Sequence, residues 1–145
     1  MIIRRAKKKD LDQLAYLFNR YRSFYKQDND LKKARSFLGK RMKRDESVIL
    51  VAEENGRLVG FTQLFPIFTS VGLQRSWLLN DLYVEEGARN SGVGTGLLEE
   101  AKEFCRSKKA KWVMLQTASD NLPAQRVYEK NGWKKEADLF YRFDL

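Results

Sequence analysis

One stretch of this sequence sets residue types at spacings that could do chemistry. Residues 84–98 read VEEGARNSGVGTGLL, a strand end that passes through glycines into a helix start. Glycine permits backbone angles that turn successive N–H groups the same way, and the helix dipole adds about half a positive charge at that point. Such a junction suits an anion. Two familiar phosphate motifs nevertheless fail here. The dinucleotide fingerprint needs a third glycine where Leu97 stands, and the nucleotide P-loop needs Lys and Ser/Thr after its last glycine, where Gly94 and Gly96 are followed by Thr95 and Leu97. The stretch therefore reads as a phosphate cradle of another kind.

Composition excludes much else. The chain has no histidine and one cysteine, Cys105. That rules out a Ser-His-Asp or Cys-His triad, an HExxH zinc site and a histidine base. Zinc is left with too few N/S ligands, and no carboxylate cluster at loop spacing suggests a hard cation, so no metal is expected. The chemistry available rests on Asp, Glu, Tyr, Ser, Lys and backbone amides. One cysteine cannot form an intrachain disulfide, no apolar run reaches the roughly 18 residues of a membrane span, and the N-terminus turns charged at once. A cytoplasmic protein is the expectation.

Charge is uneven. Residues 1–45 hold 15 Lys and Arg against 5 Asp and Glu, whereas the rest is nearly balanced, within a net charge of +9. A basic face can serve nucleic acid, a phosphate-bearing cofactor or solubility alone. No helix-turn-helix, zinc-finger or RNA-recognition pattern accompanies it, so nucleic acid is not the expected partner.

The elements that must position these residues follow from periodicity. At 145 residues, with 43% hydrophobic and 12% aromatic content, the chain can bury one core, and residues 1–145 read as a single domain. Residues 1–5 form a first strand. Asp10 opens a helix with Gln13 as capping-box partner, and Leu11, Leu14, Ala15, Phe18, Tyr21 and Tyr25 give it an apolar face. A second helix starts near Asp30 with Leu31, Ala34, Leu38 and Met42 on one stripe. Strands at 48–53 and 58–65 are joined at Asn55-Gly56, a two-residue hairpin signal. A further strand spans 74–84. A helix over 92–107 turns Leu97, Leu98, Ala101, Phe104 and Cys105 inward. A strand at 111–117 precedes an Asn121-capped helix at 122–130, ended by Asn131-Gly132. Closing strands are expected at 133–135 and 139–144. The order is β-α-α-β-β-β-α-β-α-β-β, an α/β fold with a mixed central sheet flanked by helices.

Residues 89–94, Arg-Asn-Ser-Gly-Val-Gly, resemble the Arg/Gln-x-x-Gly-x-Gly pyrophosphate loop of the GNAT family of N-acetyltransferases, and the element order is similar to that family's over nearly the whole chain. Asn121, Ala124 and Tyr128 match a second motif at the expected distance. The block FTQLFPIFTSVGLQRSWLLNDLYV is also similar to a branch that acetylates amines such as polyamines, amino acids or protein lysines. The resemblance implies acetyl-CoA as co-substrate and direct acetyl transfer to a primary amine of a small molecule. The alternatives are a protein-lysine or polyamine acetyltransferase, or a non-catalytic module binding acyl-CoA or nucleic acid. It also implies a homodimer.

By that resemblance the cofactor contacts fall at Arg89, Asn90, Ser91, Gly92, Val93, Gly94 and Thr95, at the strand residues Leu82, Tyr83 and Val84, and at Asn121, Ala124 and Tyr128. The Leu82 N–H would polarise the thioester carbonyl, and Tyr128 would be the general acid. An amine of pKa about 10.4 is almost wholly protonated at pH 7, so attack requires its deprotonation. Asn80 stands where polyamine-acetylating relatives carry Glu, and Asn is no base. Asp81 inherits the role only if a bulge turns it into the cleft, the alternative being a structural Asp81 with water carrying the proton. Tyr21, Tyr25, Asp28 and Asn80 are candidate acceptor contacts, with Phe24, Asp30, Phe65 and Phe68 nearby in the reading. Helical spacing places Cys105 in the core rather than in the chemistry.

Overall fold

Asn55-Gly56 forms the turn its residues dictate, with φ of 51° at Asn55 and 78° at Gly56, the left-handed pair a two-residue hairpin needs. It joins β2 (Val48–Glu54) to β3 (Arg57–Thr69) in a computed structural model that describes residues 1–145. With β1 (Ile2–Arg5), β4 (Gln74–Val84) and β5 (Val113–Leu115), they make a five-stranded sheet in the order β1-β2-β3-β4-β5. β1 to β4 pair antiparallel, and β5 joins β4 in parallel. The mixed sheet is the one expected.

Both faces are covered, which explains why residues 48–52 run apolar without alternation. On one face lie α1 (Leu11–Phe24) and α2 (Leu31–Lys43), whose Leu14, Leu17, Phe18, Ala34 and Leu38 pack against Ile49, Val51, Phe61 and Tyr83. On the other, α3 (Val93–Ser107) sets Leu97, Leu98, Ala101 and Cys105 against Val48, Leu50, Leu64, Trp77 and Leu79. Each such Leu, fully buried, contributes about 1.5–3 kcal/mol of hydrophobic stabilisation. The Asn121 cap of α4 (Leu122–Lys130) forms as expected, its Oδ1 accepting from the Ala124 N–H at 3.3 Å, and Asp30 caps α2, its Oδ1 accepting from the Lys33 N–H at 3.0 Å. No helix is long and apolar enough to cross a membrane.

Three expectations are corrected. Asp10 does not cap α1 with Gln13. The Asp10 carboxylate accepts from Arg4 at 2.8 and 2.9 Å and from the Lys7 N–H at 2.7 Å, closing a 3-10 turn at Lys8–Asp10, while Gln13 Oε1 accepts from the Leu58 N–H. The Arg4 pair, a charge-assisted fork, outcompetes a local cap. The strand expected at 111–117 is also shorter, Val113–Leu115. The closing strands at 133–135 and 139–144 do not form, and Leu139, Phe140, Tyr141 and Phe143 are exposed. A strand needs an edge to satisfy its N–H and C=O groups. The three residues of β5 offer little.

Candidate functional site

The site begins with one extra residue. β3 and β4 pair Leu64 with Leu79 but Gln63 with Asp81, so Asn80 is inserted as a β-bulge. Side chains alternate along a strand. Trp77 and Leu79 sit in the α3-side cluster, and without the bulge Asp81 would follow them. With it, Leu82 and Val84 take that face while Asp81 and Tyr83 turn toward α1. The condition placed on Asp81 by its strand neighbours is therefore met.

Asp81 is 6% exposed. Its Oδ2 accepts from Gln63 Nε2 at 2.8 Å, its Oδ1 from Asn80 Nδ2 at 3.2 Å, and its carbonyl from Thr62 Oγ1 at 2.8 Å. Tyr21 of α1 lies beside it. Burial, then the Asp81 carboxylate, raise the Tyr21 hydroxyl far above the usual tyrosine pKa. The Tyr21 ring meets Tyr25 edge-on, with centroids 5.0 Å apart, and Tyr83 at 6.2 Å. Tyr128 of α4 is half-buried against the α3-side cluster, and burial followed by the nearby Tyr25 raises its pKa too. Asp81, Tyr21, Tyr25 and Tyr128 thus converge from three elements, and Tyr128 keeps its proton at neutral pH.

They converge beside an opening in the sheet. β5 pairs only with Trp77, Leu78 and Leu79, whereas β4 runs on through 80–84 with its outer edge uncovered. The Trp77 N–H donates outward to the Trp112 carbonyl, and the Glu85 N–H donates inward to the Val59 carbonyl. Alternation across the bulge turns the N–H groups of Leu82 and Val84 to the open edge. The Val84 carbonyl accepts from Arg89 Nε at 2.9 Å, which ties the Gly-rich loop to that edge.

The loop ends in the start of α3. Gly92, with φ of 87°, is its left-handed N-cap, and no side chain caps the helix or places a carboxylate in its first turn. The first intrahelical bond there is Gly96 N–H to the Gly92 carbonyl at 2.9 Å, leaving the amides of Val93, Gly94 and Thr95 without helical acceptors. Ser91 Oγ donates back to the Ala88 carbonyl, and Asn90 holds a φ of 62°. A Cβ added to Gly94 would meet only Val84 Cγ2, at an ordinary 3.8 Å. Packing does not require glycine there. Its effect is a bare amide surface that a side chain would cover, and such a cradle fits the pyrophosphate of a coenzyme A derivative.

Other expected residues lie elsewhere. Asp30 is the α2 cap, and the exposed Asp28 carboxylate makes no hydrogen bond or ion pair. Phe24 and Phe68 are 61% and 74% exposed, and Phe68 stacks under Arg75 instead. A cavity of about 510 Å³ between α2 and the start of β2, bordered by Leu11, Met42 and Ser47, contains none of the expected site residues. Gln63 and Ser47, bonded to each other at 2.8 Å, were not anticipated. A polar Gln inside the apolar run VGFTQLF was the available signal.

The description Acetyltransferase (GNAT) family matches residues 11–133 of this chain. An uncharacterized N-acetyltransferase of Bacillus subtilis, YhfO, is 48% identical over 141 residues, covering 97% of this chain and 95% of that protein. A probable acetyltransferase of Haemophilus influenzae is 30% identical over 90% of this chain and 88% of its own. A solved structure described as a probable acetyltransferase superposes with a TM-score of 0.91 at 43% identity, over 100% of this chain and 97% of that one. An aminoglycoside acetyltransferase from a soil metagenome, at 20% identity and a TM-score of 0.84 over 99% of this chain and 95% of that one, shares the fold.

Proposed function

The chain belongs to the GNAT family and is an acetyl-CoA-dependent N-acetyltransferase; from that premise we propose that it acetylates a small primary amine, an amino acid or a singly charged amine, with Asp81 as base and Tyr128 as acid. The observation that carries this reading is the bulge at Asn80, which sets one buried carboxylate among Tyr21, Tyr25 and Tyr128 beside the open edge of β4.

Bound acetyl-CoA supplies an acyl thioester, the electrophile. The amides of Val93, Gly94 and Thr95, with Arg89, Asn90 and Ser91 in the preceding loop, hold its pyrophosphate. Asn121 and Ala124 at the start of α4 border its pantetheine arm. The Leu82 N–H on the uncovered edge, next to Tyr83 and Val84, is the donor for charge developing on the carbonyl oxygen. Asp81 takes a proton from the acceptor ammonium, which would otherwise cost roughly 4–5 kcal/mol to deprotonate at pH 7. Tyr128 holds a proton on its hydroxyl for the departing sulfur.

Substrate class follows from the carboxylate count. Asp30 is a helix cap, Asp28 points to no partner, and position 80 is Asn, which leaves Asp81 as the one buried carboxylate on the acceptor face. The aromatic rings of Tyr21 and Tyr25 suit one cation. A polyamine would bring several. Release of free CoA across monoamines, amino acids, aminoglycosides, basic peptides and spermidine, at about 150 mM salt to screen surface charge, tests the assignment. A spermidine preference of about tenfold in kcat/KM, about 1.4 kcal/mol, overturns the substrate class. The single buried cysteine suits the reducing cytoplasm. A homodimer belongs to the same reading, supported by the exposed Leu139, Phe140, Tyr141 and Phe143; light scattering that gives a monomer would remove it.

A further inference from the structure

We infer that Gln63, itself oriented by Ser47, is a positioning residue that sets the direction of the Asp81 carboxylate for proton abstraction. The inference rests on the reading of Asp81 as base. Gln63 is 1% exposed and Ser47 6%, so neither competes with water for its partner. The two ends of an amide differ: the oxygen accepts, and the nitrogen donates. Ser47 Oγ donates to Gln63 Oε1 at 2.8 Å, and Gln63 Nε2 donates to Asp81 Oδ2 at 2.8 Å. Turned the other way, the amide would set its oxygen against an ionised carboxylate, two acceptors with no proton between them. The row is self-consistent in one sense only.

Its consequence is an asymmetry between the two carboxylate oxygens. Oδ2 is engaged from inside the sheet by a buried donor. Oδ1 accepts from the exposed Asn80 amide at a longer 3.2 Å and, with the Tyr21 hydroxyl beside the carboxylate, is the oxygen left to receive the amine's proton. β3 thereby holds from behind a residue that the bulge on β4 has turned to the front. An amide is a poor proton carrier at neutral pH, so the Ser47–Gln63 row orients Asp81 rather than conducting its proton away. The ionisable groups on this face are Tyr21 and Tyr25 of α1, Tyr83 of β4 and Tyr128 of α4, with Arg20 and Arg89 reaching Tyr83.

The experiment follows the ¹³C carboxyl resonance of Asp81 against pH in the free protein, and kcat/KM against pH with acetyl-CoA and the best amine of the panel above. Wild type is compared with Gln63→Glu, Gln63→Leu, Ser47→Ala and Asp81→Asn. In Gln63→Glu two buried carboxyls share one site, and the Asp81 midpoint and the acidic limb of kcat/KM should move up together by about one pH unit. Gln63→Leu removes the donor; the midpoint should again rise and kcat fall about tenfold, with KM for acetyl-CoA unchanged. Ser47→Ala frees the amide to turn, and a smaller shift in the same direction is expected. It carries the test alone if the Gln63 variants unfold. Loss of activity in Asp81→Asn with unmoved midpoints and limbs in every folded Gln63 and Ser47 variant overturns the positioning role. Full activity in Asp81→Asn overturns the base itself, a different failure.

Discussion

All 31 buried residues lie between Asp10 and Cys105, and residues 106–145 contain none. The candidate site draws on both regions. Asp81 and Gln63 stand on a sheet covered on both faces, among fully buried Phe61, Leu64 and Leu97, and Tyr21 stands on α1, which packs against that sheet. Tyr128 and Asn121 stand on α4, which is tied to the rest by the half-buried Tyr128 and Trp133, by Lys102 Nζ on the Asn131 carbonyl at 2.9 Å, and by the Asn131 side chain on Thr95. The proton-accepting half of the site is thus built on the most densely packed part of the molecule, and the proton-donating half on a sparsely packed part. Few buried apolar contacts mean a low free energy of local opening. A ligand lying along the open edge of β4 touches both halves and couples them.

The contrast can be broken by stability measurements first. Leu98→Ala opens a cavity at a site with no solvent exposure, and denaturant unfolding should show a loss of about 2–5 kcal/mol. Val127→Ala on α4, where the side chain is 39% exposed, should stay within about 0.5 kcal/mol. Equal losses would mean that the two regions are equally packed.

Tyr128→Phe sharpens the same comparison from the sparsely packed side. Burial and the nearby Tyr25, rather than a hydrogen bond, act on the hydroxyl, so its removal should leave the unfolding midpoint near wild type while kcat falls roughly 10²-fold. Undiminished turnover across the pH range would show that the proton comes from another group.

Gly94→Trp addresses the junction between the halves. Acetyl-CoA at about 100 times its Kd should stabilise the wild type by about 2.7 kcal/mol through linkage, read as a rise in Tm. The tryptophan should abolish that rise while the free protein still folds, since the protein leaves room for a Cβ at this position. A folded Gly94→Trp that acetyl-CoA still stabilises would move the pyrophosphate away from this loop.

The smallest effect concerns Cys105, the last buried residue. Burial pushes its thiol up to about 11. A raised folded-state pKa contributes stability that is fully present below the unfolded value of about 8.5 and is lost as pH rises toward 11. At pH 8 a thiol reagent should therefore label native protein far more slowly than unfolded protein. Labelling of the native state at the free-thiol rate would show that α3 opens as readily as α4.

Legibility followed range. Asn121 could be read as a cap, and Asn131-Gly132 as the left-handed end of α4, from a few neighbouring residues, because a cap depends on local φ preference and one short hydrogen bond. Asp10 carried the same signal and was misread, since Arg4, six residues away, supplies a stronger partner than the start of the helix. The Gly-rich loop was legible as an anion site because its donors all belong to one junction. Gln63 and Ser47 were not, because their pairing spans 16 residues and depends on β2 lying beside β3.

By itself the sequence determined the short-range features: the Asn55-Gly56 turn, the apolar faces of α1 to α3, the bare helix start at Gly92–Thr95, and the absence of any histidine chemistry. Each depends on backbone preference, side-chain period or residue type, which neighbours in the chain settle among themselves. Only the tertiary structure decided which way Asp81 faces, because a bulge is a property of two strands in register and one inserted residue exchanges the faces of every residue after it. It also decided the tail: residues 139–144 carry an apolar, strand-like sequence, and a strand exists only where another edge receives its hydrogen bonds.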